Sequence, residues 1–214
     1  MIPSSQSART REICALAPVI PVIVVPEARQ AEGLGRALVE GGLTVLEVTL
    51  RTEAALPAIR DMTRIEGAIV GAGTVLRPDD VYRAKDAGAR FAVSPGLTED
   101  IALACQDAAL PLLPGAATLT EMMRAMQLGY DMLKFFPAEA AGGAKAVAAA
   151  GGPLAELRFC PTGGISLQNA PDYLRLSNVA CVGGSWVCPT DRVKAGDWDV
   201  IRQLAAEAAA LPRG

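Results

Sequence analysis

The segment TVLEVTLRT, from Thr44 to Thr52, decides the fold because it places charged side chains on one face of an apolar strand. Side chains alternate between the two faces of a β-strand. The apolar face, which packs against helices, consists of Leu46, Val48 and Leu50. The other face consists of Val45, Glu47, Thr49 and Arg51. These charges then point into the interior and need partners or a ligand, although an ion pair between Glu47 and Arg51 at the rim is the alternative.

Seven further β-rich segments flank this one, and strand starts recur about every 23 residues. In chain order the eight segments are PVIPVIVV (18–25), TVLEVTL (44–50), AIVGAGT (68–74), RFAVSPG (90–96), LPLLPGA (110–116), YDMLKFF (130–136), LRFCPTG (157–163) and NVACVGG (178–184). Helical stretches rich in Ala and Leu separate them, as in repeated βα units. Such a pattern admits a closed barrel or an open doubly wound sheet.

We predict an α/β fold of the (β/α)8 TIM barrel type with an extra N-terminal helix. Eight is the strand number of that barrel, and no G-x-G-x-x-G motif follows the first strand. The expected organisation is a single domain over residues 1–214, with the helix in 1–17, the barrel in 18–214 and a closing helix near 197–211. Thr98 and Thr120, each followed by acidic residues, are predicted to cap helix starts.

Composition restricts the chemistry. The 214 residues include no histidine, which excludes a Ser-His-Asp triad and makes a catalytic zinc site improbable. No cluster of acids suggests another metal, so we expect neither metal nor cofactor. The net charge is -3 without a long run of either sign, which argues against nucleic acid as a partner. Five cysteines without C-x-x-C spacing are typical of reduced thiols.

An uncharged run near the amino terminus imitates a secretion signal. Arg9 and Arg11 precede it, and it extends from Ile13 to Pro26. Three prolines interrupt the run, it is too short to span a bilayer, and cleavage there would remove the predicted first strand. We therefore expect a cytoplasmic protein without a membrane partner.

Lys134 lies between Leu133 and Phe135 in the sixth predicted strand and is one of only four lysines. An apolar strand rarely holds an ammonium group. Burial favours the neutral amine, which is the nucleophile that attacks a carbonyl carbon in Schiff-base chemistry. A lysine at a strand end that extends its amine to solvent is the alternative.

Glycine-rich segments end the seventh and eighth predicted strands, as CPTGGI (160–165) and VGGSW (182–186). Phosphate groups commonly bind at this position in such barrels, because glycine lets backbone N–H groups approach the oxygens. The candidate phosphate contacts are Thr162, Gly163, Gly164, Gly184 and Ser185. Tight turns are the alternative role for these glycines. Thr74 and Pro95 end two other strands and could line a pocket or turn the chain.

Together the segments quoted above, with GGLTVLEVTLRTEAAL, LGYDMLKFFPAEAAGG and CVGGSW, resemble the bacterial 2-dehydro-3-deoxy-phosphogluconate (KDPG) and 4-hydroxy-2-oxoglutarate (KHG) aldolases. The similarity extends from about residue 16 to residue 190. It implies a metal-free class I aldolase on a (β/α)8 barrel, usually a homotrimer, that cleaves the phosphorylated keto acid to pyruvate and glyceraldehyde 3-phosphate in the Entner-Doudoroff pathway.

The resemblance also implies roles for single residues. Lys134 of LKFFPA is expected to form the Schiff base, and Glu47 of EVTLRT to be the general acid and base. Arg51 of the same motif is expected to bind the substrate carboxylate, with Thr74 and Pro95 in the pocket. The CPTGG and GGSW residues are expected to contact phosphate and substrate.

Two alternatives remain open from the sequence. The same chemistry could act on 4-hydroxy-2-oxoglutarate, which lacks the phosphate, or on the galactonate-derived epimer of the substrate, which differs in one stereocentre. In the second alternative, the protein is a barrel without catalytic activity that binds a phosphorylated metabolite, and Lys134 serves only as an ion-pair partner. The inward positions of Lys134, Glu47 and Arg51 argue against the second.

Overall fold

The computed structural model describes residues 3–214, with side chains from residue 5 onward. The strands in this range are β1 (Val19–Ile23), β2 (Val45–Thr49), β3 (Ile69–Gly73), β4 (Phe91–Val93), β5 (Leu112–Leu113), β6 (Gly115–Ala116), β7 (Met132–Phe135), β8 (Arg158–Pro161) and β9 (Val182–Gly184). The α-helices are α1 (Pro3–Cys14), α2 (Ala31–Glu40), α3 (Ala55–Met62), α4 (Pro78–Asp86), α5 (Glu99–Asp107), α6 (Leu119–Gln127), α7 (Gly143–Ala150), α8 (Ala170–Leu174), α9 (Thr190–Ala195) and α10 (Trp198–Ala209). Strands and helices alternate, which confirms the α/β class.

The strands pair in parallel and form a curled sheet in two hydrogen-bonded parts. Six strands follow the order β5-β4-β3-β2-β1-β9, and three follow β6-β7-β8. Each predicted segment contains a strand, but the fifth is divided into β5 and β6. The prediction of eight unbroken strands was wrong at this position, because Pro114 between the two pieces has no N–H to donate to a ladder.

Buried apolar side chains lie on both faces of the sheet. Leu46 and Val48 belong to the core between strands and helices. Val45 belongs to the interior cluster, together with Phe91 and Met132. The predicted division of the TVLEVTLRT segment into helix-facing and interior-facing residues is thereby confirmed for these positions. The neighbouring Glu47 consequently has its side chain on the interior side.

Helix α1 packs against the amino-terminal ends of two strands through polar side chains. Its Thr10 hydroxyl donates to the Leu112 carbonyl oxygen at 3.2 Å. The Ser7 hydroxyl oxygen accepts the backbone N–H groups of Asp131 at 2.9 Å and Met132 at 3.0 Å. The predicted N-terminal helix is confirmed over Pro3–Cys14, while residues 1 and 2 lie outside the described residues. The closing helix α10 also lies within its predicted range.

The two predicted helix caps have different outcomes. Thr98 caps α5 as predicted, since its hydroxyl oxygen accepts the Ile101 N–H at 3.3 Å. For α6 the prediction was wrong, because Thr118 rather than Thr120 is the cap. The Thr118 hydroxyl accepts the Glu121 N–H at 3.3 Å, and the Glu121 carboxylate accepts the Thr118 N–H at 2.8 Å. This reciprocal pairing satisfies two N–H groups at once and therefore fixes the start of the helix.

The five cysteines are free thiols and all are buried. Burial raises the pKa of the Cys105 thiol and of the Cys188 thiol to about 12. Both are therefore protonated near neutral pH and are poor nucleophiles. Across residues 3–214, every helix is too short or too polar to cross a bilayer.

Candidate active site

A buried lysine and a buried glutamate meet inside the curled sheet. Lys134 lies on β7 and is 5% exposed, and Glu47 lies on β2 and is 3% exposed. The Lys134 Nζ donates to Oε1 of Glu47 at 3.2 Å. Removal of two charges from water is costly, and such a pair persists only where each partner satisfies the other. The structure thus brings together the amine and the carboxylate that the sequence singled out.

A missing side chain on the next strand makes room for the Glu47 carboxylate. Residue Gly73 belongs to β3, which pairs with β2 in parallel. A Cβ atom added to Gly73 would lie 2.3 Å from Oε1 of Glu47. Since real Cβ atoms do not approach oxygen so closely, only glycine at this position leaves the carboxylate where it is. The GAG sequence of β3 is therefore part of the site.

An aromatic ring connects the buried pair to the open end of the sheet. The Lys134 Nζ lies 5.3 Å from the centroid of the Phe136 ring, a distance typical of a cation–π contact. Phe136 follows directly after β7 and also lines a cavity at the carboxyl ends of the strands. The amine therefore lies beneath one wall of that cavity.

Arg51 lies at the mouth of this cavity, and Thr74 holds it. Its Nε donates to the Thr74 hydroxyl oxygen at 3.2 Å. Thr74 has a φ of +59°, in the left-handed region that β-branched residues rarely adopt. A strained backbone of this kind persists where the surroundings enforce it, and such positions cluster at functional sites. In the described part of the chain Arg51 makes no ion pair, so its guanidinium is available to an anionic ligand.

The cavity has a volume of about 270 Å³ and contains most of the predicted binding residues. Arg51, Thr162, Gly163, Gly164, Gly184 and Ser185 all line it. The ends of β8 and β9 meet here through a bridge between Thr162 and Gly183. A guanidinium, two hydroxyl groups and flexible glycine backbone therefore face one space, a combination that suits an anionic ligand.

Two consecutive left-handed glycines shape the loop after β8. Gly163 has a φ of +104° and Gly164 has a φ of +76°. A side chain is unfavourable in this conformation, and a Cβ atom on Gly164 would lie 2.7 Å from Cγ of Glu139. The double glycine of the CPTGG motif is thus required both by backbone conformation and by close packing.

A neighbouring cavity of about 330 Å³ also includes Arg51 in its wall. Its other arginines already have acidic partners, because Arg77 lies 3.8 Å from Asp80 and Arg83 lies 3.7 Å from Asp79. We therefore place the anion-binding capacity of Arg51 on the side of the smaller cavity. Within residues 3–214, no cluster of acidic or thiol side chains has the arrangement of a metal site.

Comparison with known proteins identifies the family. The model of the family described as "Aldolase: KDPG and KHG aldolase" matches residues 10–204. The chain belongs to the KDPG and KHG aldolase family. This aldolase is similar to the "KHG/KDPG aldolase" of Escherichia coli (strain K12), with 53% identity over 192 residues, which are 89% of this chain and 90% of the relative.

Two solved structures of aldolases are similar to the whole fold. The 2-keto-3-deoxy-6-phosphogluconate aldolase of Zymomonas mobilis ZM4, solved with 3-phosphoglycerate, matches with a TM-score of 0.93 and 45% identity over 97% of this chain and 98% of that one. The KDPG aldolase of Legionella pneumophila, solved with pyruvate captured at low pH as a covalent carbinolamine intermediate, matches with a TM-score of 0.91. Its identity is 44%, over 94% of this chain and 98% of that one.

Two predicted pocket residues of this aldolase, Thr74 and Pro95, are absent from the cavity wall, and other residues of the wall were not predicted. Pro95 is half-buried and is absent from the cavity wall. Its carbonyl oxygen instead lies against Gly115 of β6, 2.1 Å from where a Cβ atom would be. Phe136 and Thr190 line the cavity but were not predicted. Phe136 could have been predicted, because it follows directly after the strand that contains Lys134. Nothing in the sequence around Thr190 indicates that it lines the cavity.

Proposed function

We propose that this chain is a class I aldolase that cleaves 2-dehydro-3-deoxy-6-phosphogluconate to pyruvate and glyceraldehyde 3-phosphate, in the manner of the Entner-Doudoroff pathway. The observation that carries the proposal is the buried contact of 3.2 Å between Lys134 and Glu47. An amine that attacks a ketone needs a group at hydrogen-bond distance to move protons. The pyruvate carbinolamine in the Legionella relative supports the same chemistry here.

Imine formation is the first half of the proposed reaction. Neutral Lys134 attacks the keto carbon, and its nitrogen forms the new bond while the carbonyl oxygen takes a proton. That proton comes from Glu47, which took it from the Lys134 ammonium group when the amine became neutral. Glu47 then removes a proton from the attached nitrogen and gives it to the hydroxyl of the carbinolamine, which leaves as water. A protonated imine results, and it withdraws electrons from the adjacent carbon atoms.

Carbon–carbon cleavage follows. Glu47, directly or through water, removes the proton from the hydroxyl group two carbons beyond the imine carbon. The electron pair of the breaking bond moves to the imine, so glyceraldehyde 3-phosphate leaves and an enamine of pyruvate remains on Lys134. Protonation of the enamine carbon and hydrolysis release pyruvate. No metal or cofactor enters these steps.

Substrate binding is assigned to the mouth of the cavity. Arg51, held by Thr74, binds the carboxylate through a charge-assisted contact. The loops with Thr162, Gly163, Gly164, Gly184 and Ser185 bind the phosphate, because they line the same cavity as Arg51. Pro95 supports the pocket through its backbone contact with Gly115 rather than through substrate.

The proposal includes a closed (β/α)8 barrel in one domain, with residues 1–17 as the N-terminal helix and 18–214 as the barrel. Two observations support closure: Pro114 alone separates β5 from β6, and Thr162 bridges to Gly183 between β8 and β9. A single cooperative unfolding transition is the expected result for one domain.

We further propose a homotrimer in the cytoplasm, as the family resemblance implies. Large apolar side chains exposed on α5 and α6 support an interface between copies, namely Leu103, Leu119 and Met123. The free thiols support a reducing compartment. Light scattering tests the assembly, and we expect three times the mass of one chain.

Borohydride reduction tests the central step. Pyruvate and borohydride are added to the folded protein, and intact mass and peptide mapping locate any reduced adduct. We expect one adduct per chain, on Lys134, and none in a Lys134→Ala variant. Absence of an adduct on folded wild-type protein would contradict the proposed function and favour a barrel that only binds a phosphorylated metabolite.

A second candidate substrate is 4-hydroxy-2-oxoglutarate. The family name and the name of the Escherichia coli relative both include it. It requires the same imine and carboxylate contacts but has no phosphate. Comparison of kcat/KM for the two keto acids and for the galactonate-derived epimer decides between them, and we expect the phosphorylated gluconate-derived acid to have the highest value.

A further inference from the structure

The loop that follows β7 holds the loop that follows β8. The Ala138 N–H donates to the Thr162 carbonyl oxygen at 2.8 Å, and the Glu139 N–H donates to the Gly163 carbonyl oxygen at 3.1 Å. The carbonyl groups of the double-glycine loop therefore point toward the β7 loop. The orientation of these carbonyl groups therefore depends on the position of the backbone at Ala138 and Glu139.

The Glu139 side chain makes a second connection. Its Cβ and Cγ atoms pack directly against the backbone of Gly164, within 2.8 Å of where a Cβ atom would be. Its carboxylate accepts a hydrogen bond from the hydroxyl group of Tyr173 on α8. Tyr173 is 1% exposed and cannot move without disturbing the core. Glu139 is thus fixed between a rigid tyrosine and the flexible glycine loop.

Tyr173 is a reliable donor in this pair. Burial, with the neighbouring carboxylates of Glu139 and Asp172, raises the pKa of its phenol well above the usual range. The hydroxyl group therefore keeps its proton near neutral pH. A hydrogen bond to a charged acceptor is also stronger than one between neutral groups.

The outer end of the glycine loop is held in a similar way. Asn169 donates through Nδ2 to the Gly164 carbonyl oxygen at 3.1 Å, and its Oδ1 accepts the Ser166 N–H at 2.8 Å. Glu139 and Asn169 also line a separate cavity of about 280 Å³. Glu139 does not line the cavity of the proposed phosphate site.

We propose that Glu139, anchored by Tyr173, is a positioning residue that holds Gly163 and Gly164 in the conformation that binds the phosphate monoester of the substrate. It acts through the loop and does not touch the substrate. The inference rests on the proposed function, since it deepens the assignment of the phosphate end. Glu47 lies on β2, and Lys134 lies within β7, ahead of the loop that carries Glu139, so we expect their contact to keep its geometry when this anchor is removed.

The experiment compares a phosphorylated and an unphosphorylated ligand in the same variants. Tyr173→Phe deletes one hydroxyl group and keeps the core packing, Glu139→Ala deletes the anchor, and Glu139→Gln retains an acceptor oxygen. Tyr82→Phe is the matched control, because Tyr82 on α4 makes the same type of contact with the Asp107 carboxylate at 3.1 Å, on a different helix pair. The readouts are KM and kcat for the phosphorylated keto acid, and the pyruvate concentration for half-maximal borohydride trapping.

We expect Tyr173→Phe and Glu139→Ala to raise KM for the phosphorylated acid roughly three- to tenfold, as befits the loss of one hydrogen bond. Pyruvate trapping and kcat should stay within about twofold of wild type. Glu139→Gln should recover part of the loss, and Tyr82→Phe should have no effect. The inference is overturned if KM is unchanged in both variants, or if pyruvate trapping weakens as much as KM rises. If borohydride traps no pyruvate on the wild-type protein, the result contradicts the proposed function itself rather than the role of Glu139.

Discussion

Lys134 and Glu47 are 87 positions apart in the chain, yet their side chains share a hydrogen bond of 3.2 Å in the interior. Parallel strands of a curled sheet bring this about, since β2 and β7 both direct one side chain in two toward the inside. The result is a proton-transfer group in contact with a nucleophilic amine, and both side chains are buried. Such an environment strengthens electrostatic interactions during the reaction.

Replacement of Glu47 by Gln is expected to reduce kcat for aldol cleavage by roughly a hundredfold or more. The amide has nearly the same shape but cannot accept a proton from the substrate hydroxyl group. Steady-state turnover with a coupled assay of pyruvate release measures the effect. Glu53→Gln, at an exposed position after β2, is the control and should retain wild-type turnover. Near-normal turnover in Glu47→Gln would refute the assignment of this residue.

Replacement of Arg51 by Gln is expected to raise KM about tenfold for keto acids with and without phosphate. The reason is that Arg51 is assigned to the carboxylate, which all these substrates share. Parallel KM measurements on both substrates provide the check, with Arg60→Gln on exposed surface of α3 as the control. An effect confined to the phosphorylated substrate would move Arg51 to the phosphate end.

Replacement of Gly73 by Ala is expected to displace the Glu47 carboxylate and to lower kcat about 10- to 100-fold, because small displacements of catalytic groups have large effects. The added Cβ atom would lie 2.3 Å from Oε1 of Glu47. Gly152→Ala is the control, because its Cβ atom would meet its nearest neighbour at 3.6 Å, an ordinary contact. A crystal structure and kcat of both variants test the prediction. Full activity with an unmoved carboxylate would contradict it.

The stability of the fold is expected to depend on pH through Glu121. Hydrogen bonds from the N–H groups of Ala117 and Thr118 lower the pKa of its carboxyl group below the ordinary value of 4.5. Its folded pKa is below the unfolded one, so the stabilisation is present above pH 4.5 and is lost as pH falls through the folded value.

Comparison with Glu121→Gln measures this contribution. At pH 7 the variant should unfold about 1–2 °C below wild type, and the difference should shrink as the pH falls below 4.5 through the lowered folded pKa. Glu66→Gln, exposed before β3, controls for the loss of one negative charge. A difference between Glu121→Gln and wild type that stays constant across this pH range would be inconsistent with the carboxylate cap.

Much of this architecture could be predicted because its signals are local. The alternation in TVLEVTLRT fixed which side of β2 faces inward, and a lysine within an apolar strand indicated the reactive amine. The split of the fifth strand was harder to anticipate. The segment LPLLPGA has the hydrophobicity of one continuous strand, and the effect of Pro114 on the ladder depends on neighbours that are distant in sequence.

Other parts of the site depend on contacts that no short segment encodes. Thr118 and Thr120 are both suitable caps by type, and only the backbone decided between them. The anchor between Glu139 and Tyr173 joins the loop after β7 to the buried face of α8, 34 positions along the chain, so neither residue carries a local signal. Pro95 follows the end of a strand, where pocket residues are expected. Its carbonyl oxygen packs against Gly115, and the residue does not line the cavity.

Helix α1 packs across the amino-terminal ends of β5 and β7. Its Ser7 and Thr10 bind the backbone at the amino-terminal ends of β5 and β7, and Val45, Phe91 and Met132 fill the space above them. In the proposed reaction, reactants and products enter and leave past Arg51, which lines the cavity at the carboxyl ends of the strands. In the proposed reaction the phosphorylated aldehyde lies nearer this exit and the pyruvate fragment stays bonded to Lys134 behind it. Product release is therefore ordered in the proposed reaction: the aldehyde leaves first, and pyruvate follows after hydrolysis of its bond to Lys134.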